Sequence, residues 1–247
     1  MAARTQRTLQ ALILAYLGLS LLQKLWSGTL VWYLSERFFV LVLAAAFGLL
    51  VLARSVLPAW RATHESAAVP TPVRGERPLA AWRLWMVALP LILGLLLPGR
   101  PLGASALALR GVNNSVPPPT AGSGLPDPQA VPPNARTVLD WVRVFNAADP
   151  TTFAGEPADV VGFVYHDPRL DAGEFMVSRF IAGCCAAGAS GVGLRVQWPN
   201  AAGLESNAWV RVRGAVQAGI YAGRPIPVIT AASVEGLEPP LQPYLEP

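Results

Sequence analysis

Two adjacent cysteines are the residues with the most distinctive chemistry in this chain. Cys184 and Cys185 are its only cysteines, and they lie in a stretch rich in glycine and alanine, GCCAAGASG. Three interpretations stay open. The pair can form a strained vicinal disulfide, because adjacent Cα atoms lie about 3.8 Å apart, below the usual disulfide span. It can bind a soft metal through two thiolates, or it can fill space as two small side chains at a sharp turn.

A complete metal or acid–base site is not indicated near these thiols. Zinc normally takes four ligands, and His166 lies at the other end of a predicted strand. The ten steps from Glu174 to Cys184 span roughly 33 Å if the chain is extended at about 3.3 Å per residue. Asp167, Asp171 and Glu174 cluster in the turn after His166, where solvation accounts for them. The chain also lacks GxSxG, HExxH and phosphate-binding glycine motifs. We therefore predict no catalytic residues and no enzyme activity.

Composition places these residues in a membrane protein. Hydrophobic residues make up 53% of the 247 residues and charged residues only 14%, with a mean hydropathy of +0.40, which is too apolar for an ordinary soluble domain. Residues 1–111 carry 11 Lys and Arg against 3 Glu, or +8, whereas residues 112–247 carry 8 Arg against 12 Asp and Glu, or −4. The basic charge therefore lies outside the C-terminal part, and nucleic acid is not indicated as a partner.

Three apolar runs in the first part predict a bundle of membrane-spanning helices. The runs cover about 9–26, 38–57 and 84–98, close to the roughly 20 residues that cross a bilayer. The first run could instead be a secretory signal peptide, although no cleavage site of the A-x-A type follows it. The third run is short and could instead be re-entrant or interfacial.

Positive charge predicts the orientation of this bundle. Arginines are concentrated at the N-terminus and in the loop between the second and third runs, over 54–83, and Arg-rich segments stay in the cytoplasm. With three spans, the N-terminus is cytoplasmic and the C-terminal domain is extracytoplasmic. The predicted location is the cell membrane, with the lipid bilayer around the bundle.

The second part divides into a linker and a β-rich domain. Residues 112–136 are rich in proline, glycine and small polar residues, which predicts an extended or disordered spacer. Residues 137–247 form the predicted domain, which opens with a short amphipathic helix over 137–148. Five strands follow, and alternation such as Val210 and Val212 against Arg211 and Arg213 indicates one buried face. The strands are predicted at 158–165, 174–181, 192–198, 208–217 and 226–234. An OB-like small barrel fits this count.

Five stretches of the chain carry a resemblance to a known family. They are GTLVWYLSERFFVLVLAA, PGRPLGASALALRGVN, GFVYHDPRLDAGEFMVSRFIAGCCAAGASGVGLRV, WVRVRG and VEGLEPPLQPYLEP. They resemble a poorly characterised bacterial group, the YcgQ-like family of predicted permease subunits, which are membrane proteins encoded beside a predicted permease. The chain departs from these relatives at Leu34, Ser35 and Glu36, where a histidine and a proline are usual, and at Gly188, where an acidic residue often follows the cysteines. These departures weaken a metal site built from those positions.

Two functions follow as expectations. The resemblance implies an accessory subunit of a membrane permease, in which the outer domain binds or gates an unidentified solute, with a possible link to metal homeostasis. The alternative is a membrane-tethered protein that handles thiols or metal through Cys184 and Cys185. Neither expectation identifies a cofactor.

Overall fold

A computed structural model describes residues 2–56, 89, 93–94, 99–116 and 127–246. The chain divides into two compact units, Met1–Arg100 and Pro101–Pro247. The linker predicted over 112–136 falls inside the second unit, and so does the end of the predicted transmembrane domain at residue 111. Of the third predicted span, 84–98, only Leu89, Leu93 and Gly94 are among the described residues, so that prediction lies outside them.

The first unit contains two long apolar helices. Helix α1 covers Ala2–Trp26 and helix α2 covers Phe39–Val56, which confirms helices at the first two predicted spans. Leucine and alanine dominate both helices, and both residues favour helix. Two segments, Thr8–Trp26 and Glu36–Val56, are long and apolar enough to cross a membrane by length and composition.

Small residues let the two helices approach each other closely. A Cβ atom added at Gly18 would lie 2.9 Å from Leu50 Cγ and 3.0 Å from the Ala46 carbonyl oxygen, and Ala46 is fully buried. Most of the larger side chains are outside this contact, such as Val40, which is 75% exposed. Exposed apolar surface of this extent is unfavourable in water and is typical of a surface that contacts lipid or another chain.

Helices α3 and α4 belong to the second unit. Helix α3 covers Ala104–Arg110 and was not predicted. Helix α4 covers Val138–Ala147 and confirms the predicted amphipathic helix. It begins with a capping box in which Thr137 and Asp140 each satisfy a backbone N–H of the other.

Six strands form a single sheet. Strand β2 matches its predicted bounds, whereas β4 and β5 are longer than predicted, and β6 was not predicted. The bounds are β1 (Pro157–Tyr165), β2 (Glu174–Ile181), β3 (Ser190–Gln197), β4 (Trp209–Tyr221), β5 (Arg224–Leu237) and β6 (Tyr244–Leu245).

The strand order is β1-β4-β5-β3-β2-β6, with an additional pairing between β1 and β2. Strands β3 and β5 are parallel, as are β2 and β6, and the other neighbours are antiparallel. The predicted alternation is confirmed, since Val210 and Val212 are buried while Arg211 and Arg213 are half-exposed. The OB-like form of this sheet stays a prediction.

Described parts of the predicted linker pack against the sheet. Val112 forms a parallel bridge with Gly191, and the Asn114 side-chain amide donates to the Gly193 carbonyl at 2.7 Å. Arg136 is buried, binds Glu156 at 2.6 Å and lies over the Trp141 ring. Hydrogen bonds and an ion pair therefore bind both ends of this segment to the β-rich unit, whereas the proline content predicted an extended or disordered spacer.

Candidate functional site

The adjacent cysteines lie in the loop that joins β2 to β3, as the sequence predicts. We call residues 182–189 the cysteine loop. Its second half is one turn of 3-10 helix, Ala186–Gly188, with Cys185 at the position that precedes the turn. Helix α3 packs beside it, because Leu107 is fully buried in the same cluster as Ala182 and Ala189.

The two thiols point to the same side of the chain and are free. Their Sγ atoms are 3.6 Å apart, although successive side chains of extended backbone point to opposite faces. Cys184 is exposed and Cys185 is partly exposed. The backbone N–H of Gly188 lowers the pKa of the Cys185 thiol, with further contributions from Cys184 and the Ala187 N–H. The lowered pKa favours the thiolate of Cys185 over its thiol, and the thiolate is the nucleophilic form. Solvent can reach this position in part.

Hydrogen bonds hold the cysteine loop from two sides. The Arg110 guanidinium, at the end of α3, donates to the carbonyls of Ala186 at 3.2 Å and Ala189 at 2.8 Å. At the start of the loop, the Ala182 N–H donates to the Leu245 carbonyl of β6 at 3.0 Å. The position of the thiols therefore depends on α3 and β6, neither of which was predicted.

The structure does not bring other metal ligands to the thiols. His166 lies at the opposite end of β2, where its Nε2 is 2.9 Å from the Leu204 carbonyl oxygen. Among the described residues, no group of three or more His, Cys, Asp and Glu side chains could hold a metal ion. Within that part of the chain, a metal at the cysteine loop has two protein ligands, Cys184 and Cys185.

Two of the three carboxylates after His166, Asp167 and Glu174, are buried and paired, which corrects their interpretation as solvated turn residues. Asp167 is only 4% exposed. It accepts hydrogen bonds from Arg169 Nε at 2.8 Å and Nη2 at 2.7 Å, and from the Tyr221 hydroxyl at 2.5 Å. Arg169 holds the pKa of Asp167 at about 2, and Tyr221 contributes as well. Burial and the same carboxylate raise the pKa of Tyr221.

Glu174 is also buried rather than solvated. Arg195 binds both of its carboxylate oxygens, at 2.6 and 2.9 Å. Burial acts to raise the pKa of Glu174, but the hydrogen bonds from Arg195 and Gln197 outweigh it, so that the pKa is lowered. Of the three carboxylates, only Asp171 is exposed. Because Asp167 and Glu174 are ionised and fully engaged by arginines, they are unsuited to general acid–base catalysis.

Sequence reasoning also missed Arg179, a buried cation in the middle of β2. Its guanidinium donates to the carbonyls of Pro243 and Gln242, both at 3.0 Å, and lies over the Trp209 ring. Burial lowers its pKa to about 10. These bonds fix the chain just before β6. A cation between apolar residues of the strand EFMVSRFI, followed directly by Phe180 and Ile181, was the signal that could have revealed it.

Comparison with known protein families places one match on this unit. Residues 137–246 match the DUF1980 C-terminal domain family. The match covers α4, all six strands and the cysteine loop. No curated protein matches the chain.

Proposed function

We propose that this chain is an accessory subunit of a membrane permease, with the β-rich domain binding or gating an unidentified solute. In this proposal three spans, 9–26, 38–57 and 84–98, leave the N-terminus in the cytoplasm and the domain outside it. Support for the orientation comes from the arginines over 54–83 and at the N-terminus. The YcgQ-like resemblance supports the partnership with a permease.

The observation that carries this proposal is the apolar surface of the helical pair. Only 11% of each spanning segment is buried, and the exposed side chains of α2 include Val40, Phe47 and Val51. No charged residue occurs over 9–23 or 38–53, and ions or protons crossing a membrane need polar groups along their path. These helices therefore offer surface for a partner rather than a transport path of their own.

Co-purification with the permease tests this function. Tagged full-length chain is isolated in mild detergent, and the membrane proteins recovered with it are identified by mass spectrometry. Gly48 has open space around it, so Gly48→Phe should reduce recovery of the permease while the helical pair remains folded. Ala106→Ser, in the β-rich unit, is the matched control and should leave recovery unchanged. Isolation of the chain without any permease would contradict the proposal.

A fusion reporter tests the orientation separately. Alkaline phosphatase is active only outside the cytoplasm, so a fusion after Pro247 should be active, and a fusion within 57–83 should be inactive. The opposite result at the C-terminus would show two spans rather than three.

We also propose that the sheet has an OB-like form. The ring of pairings β1–β2, β2–β3, β3–β5, β5–β4 and β4–β1 supports it, because an OB-fold is a five-stranded, partly open Greek-key barrel. Gln197 and Thr230 are Cα partners across the parallel β3–β5 contact. A Gln197→Cys/Thr230→Cys pair, in a chain without the native cysteines, should therefore cross-link on oxidation. Gln197→Cys with Ala187→Cys should not, because Ala187 lies beyond the opposite end of β3.

The free thiols favour a second candidate function, the handling of thiols or metal at Cys184 and Cys185. Two accessible Sγ atoms 3.6 Å apart are suited to exchange with a disulfide or to binding a soft metal. Replacement of both cysteines by serine should abolish growth protection against thiol oxidants or metal stress at unchanged protein abundance. Normal protection would contradict this candidate, and lost abundance would show that the cysteines serve packing alone.

A further inference from the structure

The geometry of the cysteine loop limits which soft metal ion the loop can bind. The inference drawn from it rests on the second candidate function. Two thiol sulfurs lie 3.6 Å apart on one side of the loop, and both are accessible to solvent in part or in full. The described residues bring no third His, Cys, Asp or Glu to them. Within the described part of the chain, a metal at this loop would therefore have two protein ligands, both of them sulfur.

Coordination preference then separates the soft metals. Structural zinc sites are closed by four protein ligands, and iron–sulfur clusters are held by four cysteine thiolates. Thiolates also select Cu(I), a closed-shell monovalent ion for which two sulfur ligands are a common coordination number. By ligand count, the two-thiol loop supplies enough sulfur for Cu(I) and too few ligands for structural zinc or an iron–sulfur cluster.

The surroundings of the loop suit the charge that such binding produces. Two thiols release two protons to solvent as the two Cu–S bonds form, so that the bound unit carries one negative charge. The Arg110 guanidinium lies against the same loop, donating to the carbonyls of Ala186 and Ala189. Its positive charge attracts the negative charge of Cu(I) bound by two thiolates. Its hydrogen bonds keep the loop in one conformation before the metal arrives.

We propose that Cys184 and Cys185 form a two-coordinate site for Cu(I). Copper keeps its oxidation state during binding, so no oxidant or reductant takes part. Each chain binds one ion through its own two thiols, and Arg110 is a positioning residue for the loop. The site is open to solvent at Cys184. The copper ion can therefore pass to or from another thiol protein as one sulfur ligand replaces another, one at a time.

Competition with a coloured chelator tests the site. Full-length reduced protein in detergent is titrated, without oxygen, against the Cu(I) complex of bicinchoninate, whose absorbance falls as copper is removed. One equivalent of Cu(I) should move to each chain. Wild-type protein blocked with N-ethylmaleimide should take none, and this control does not depend on any variant folding correctly. Cys184→Ser and Cys185→Ser should each lose competition with the chelator.

Two further variants separate a site from general copper binding. Ala202→Ser, at an exposed position beyond the far end of β3, leaves the cysteine loop unchanged and should bind like wild type. Arg110→Gln should bind about tenfold more weakly, as expected for loss of an outer-shell group, while Arg100→Gln should not change the affinity. Copper that stays on the chelator, or that binds blocked protein equally well, would overturn the proposal. One ion shared by two chains would do the same.

Counting reactive thiols in the folded protein distinguishes this proposal from the function on which it rests. If both thiols react with an alkylating reagent but copper stays on the chelator, the copper site is wrong and a thiol function stands. If neither thiol reacts until the protein is unfolded, both proposals fail together.

Discussion

The two ends of β2 differ in how their reactive side chains are satisfied. At the Glu174 end, Asp167 and Glu174 are buried and bound by arginines. At the Ile181 end, Cys184 and Cys185 are accessible. Among the described residues their partners are each other and, for Cys185, the backbone N–H groups of Ala187 and Gly188. Buried charge is costly unless paired, so the first end is committed to stability. The second end keeps its thiols available for a ligand or another protein.

The buried cluster at the Glu174 end of β2 holds two loops of this unit together. The cluster of Asp167, Arg169 and Tyr221 joins the β1–β2 loop to the turn of the β4–β5 hairpin. That turn holds Ala222 and Gly223 at positive φ, 50° and 77°, a conformation that two-residue hairpins require. Four predictions test whether one end is structural and the other chemical, beginning with the largest expected effect.

Asp167→Ala should lower the free energy of unfolding by about 2 to 3 kcal/mol, because it removes the buried carboxylate that pairs with Arg169 and leaves the buried Tyr221 hydroxyl without its acceptor. Urea unfolding of the full-length protein, followed by tryptophan fluorescence, measures the change. Asp171→Ala is the matched control in the same turn and should stay within about 0.5 kcal/mol of wild type, since Asp171 is exposed. Equal effects would show that the two carboxylates have the same role.

Acid should weaken the protein through the same carboxylate. The pKa of Asp167 is about 2 when folded, below its ordinary value of 3.8. Ionised Asp167 therefore stabilises the fold above about pH 4, and this contribution, on the order of 2 kcal/mol, is lost as the pH falls toward 2. The urea concentration at the midpoint of unfolding, measured between pH 2 and 7, should fall toward low pH in wild type. It should fall less steeply in Asp167→Asn.

The Glu174–Arg195 pair should show a smaller effect, because a double-mutant cycle measures only the interaction between the two side chains and excludes the cost of leaving one of them unpaired. A double-mutant cycle with Glu174→Gln and Arg195→Met should give about 1 kcal/mol of interaction energy in urea unfolding. A cycle between Glu174→Gln and Arg224→Met serves as control and should give none. Additive effects in the first cycle would show that Glu174 and Arg195 interact no more strongly than solvated surface charges do.

The cysteines should give the smallest change in stability. Serine at Cys184 and Cys185 together should alter the free energy of unfolding by no more than about 0.5 kcal/mol, because both side chains are at least partly exposed. The same urea assay, in reducing buffer, measures it. A loss of 2 kcal/mol or more would place the cysteines with the structural end of β2 and favour the packing interpretation.

Much of the secondary structure could be predicted because local patterns were strong. The spacing of Val138, Trp141, Val142 and Phe145 predicted α4, and alternation predicted β1 to β5 within a few residues. Helix α3 and strand β6 were missed because they are short and depend on contacts with distant residues. The Tyr244 hydroxyl, for example, accepts from the Leu102 N–H at 2.9 Å across 142 positions of sequence.

The sequence predicted which residues form the candidate site but not the residues and hydrogen bonds around them. Adjacent cysteines in a Gly- and Ala-rich stretch are visible in any sequence, and their place between two strands followed from the strand predictions. Their common direction, their exposure and the hydrogen bonds from Arg110 depend on loop conformation and on a helix 76 to 79 positions earlier. Proline content predicted a spacer over 112–136, whereas specific side chains such as Asn114 and Arg136 bind its described parts to the sheet.

By itself, the sequence determined where apolar helices and alternating strands form, because those follow from side-chain periodicity along the chain. It also determined the division of charge and the presence of one thiol pair. Only the tertiary structure decided which polar side chains are buried. Asp167 and Asp171 are similar residues in one turn, yet Tyr221 and Arg169 enclose the first and solvent surrounds the second. The two ends of β2 acquire their different roles through such long-range contacts, which no local pattern encodes.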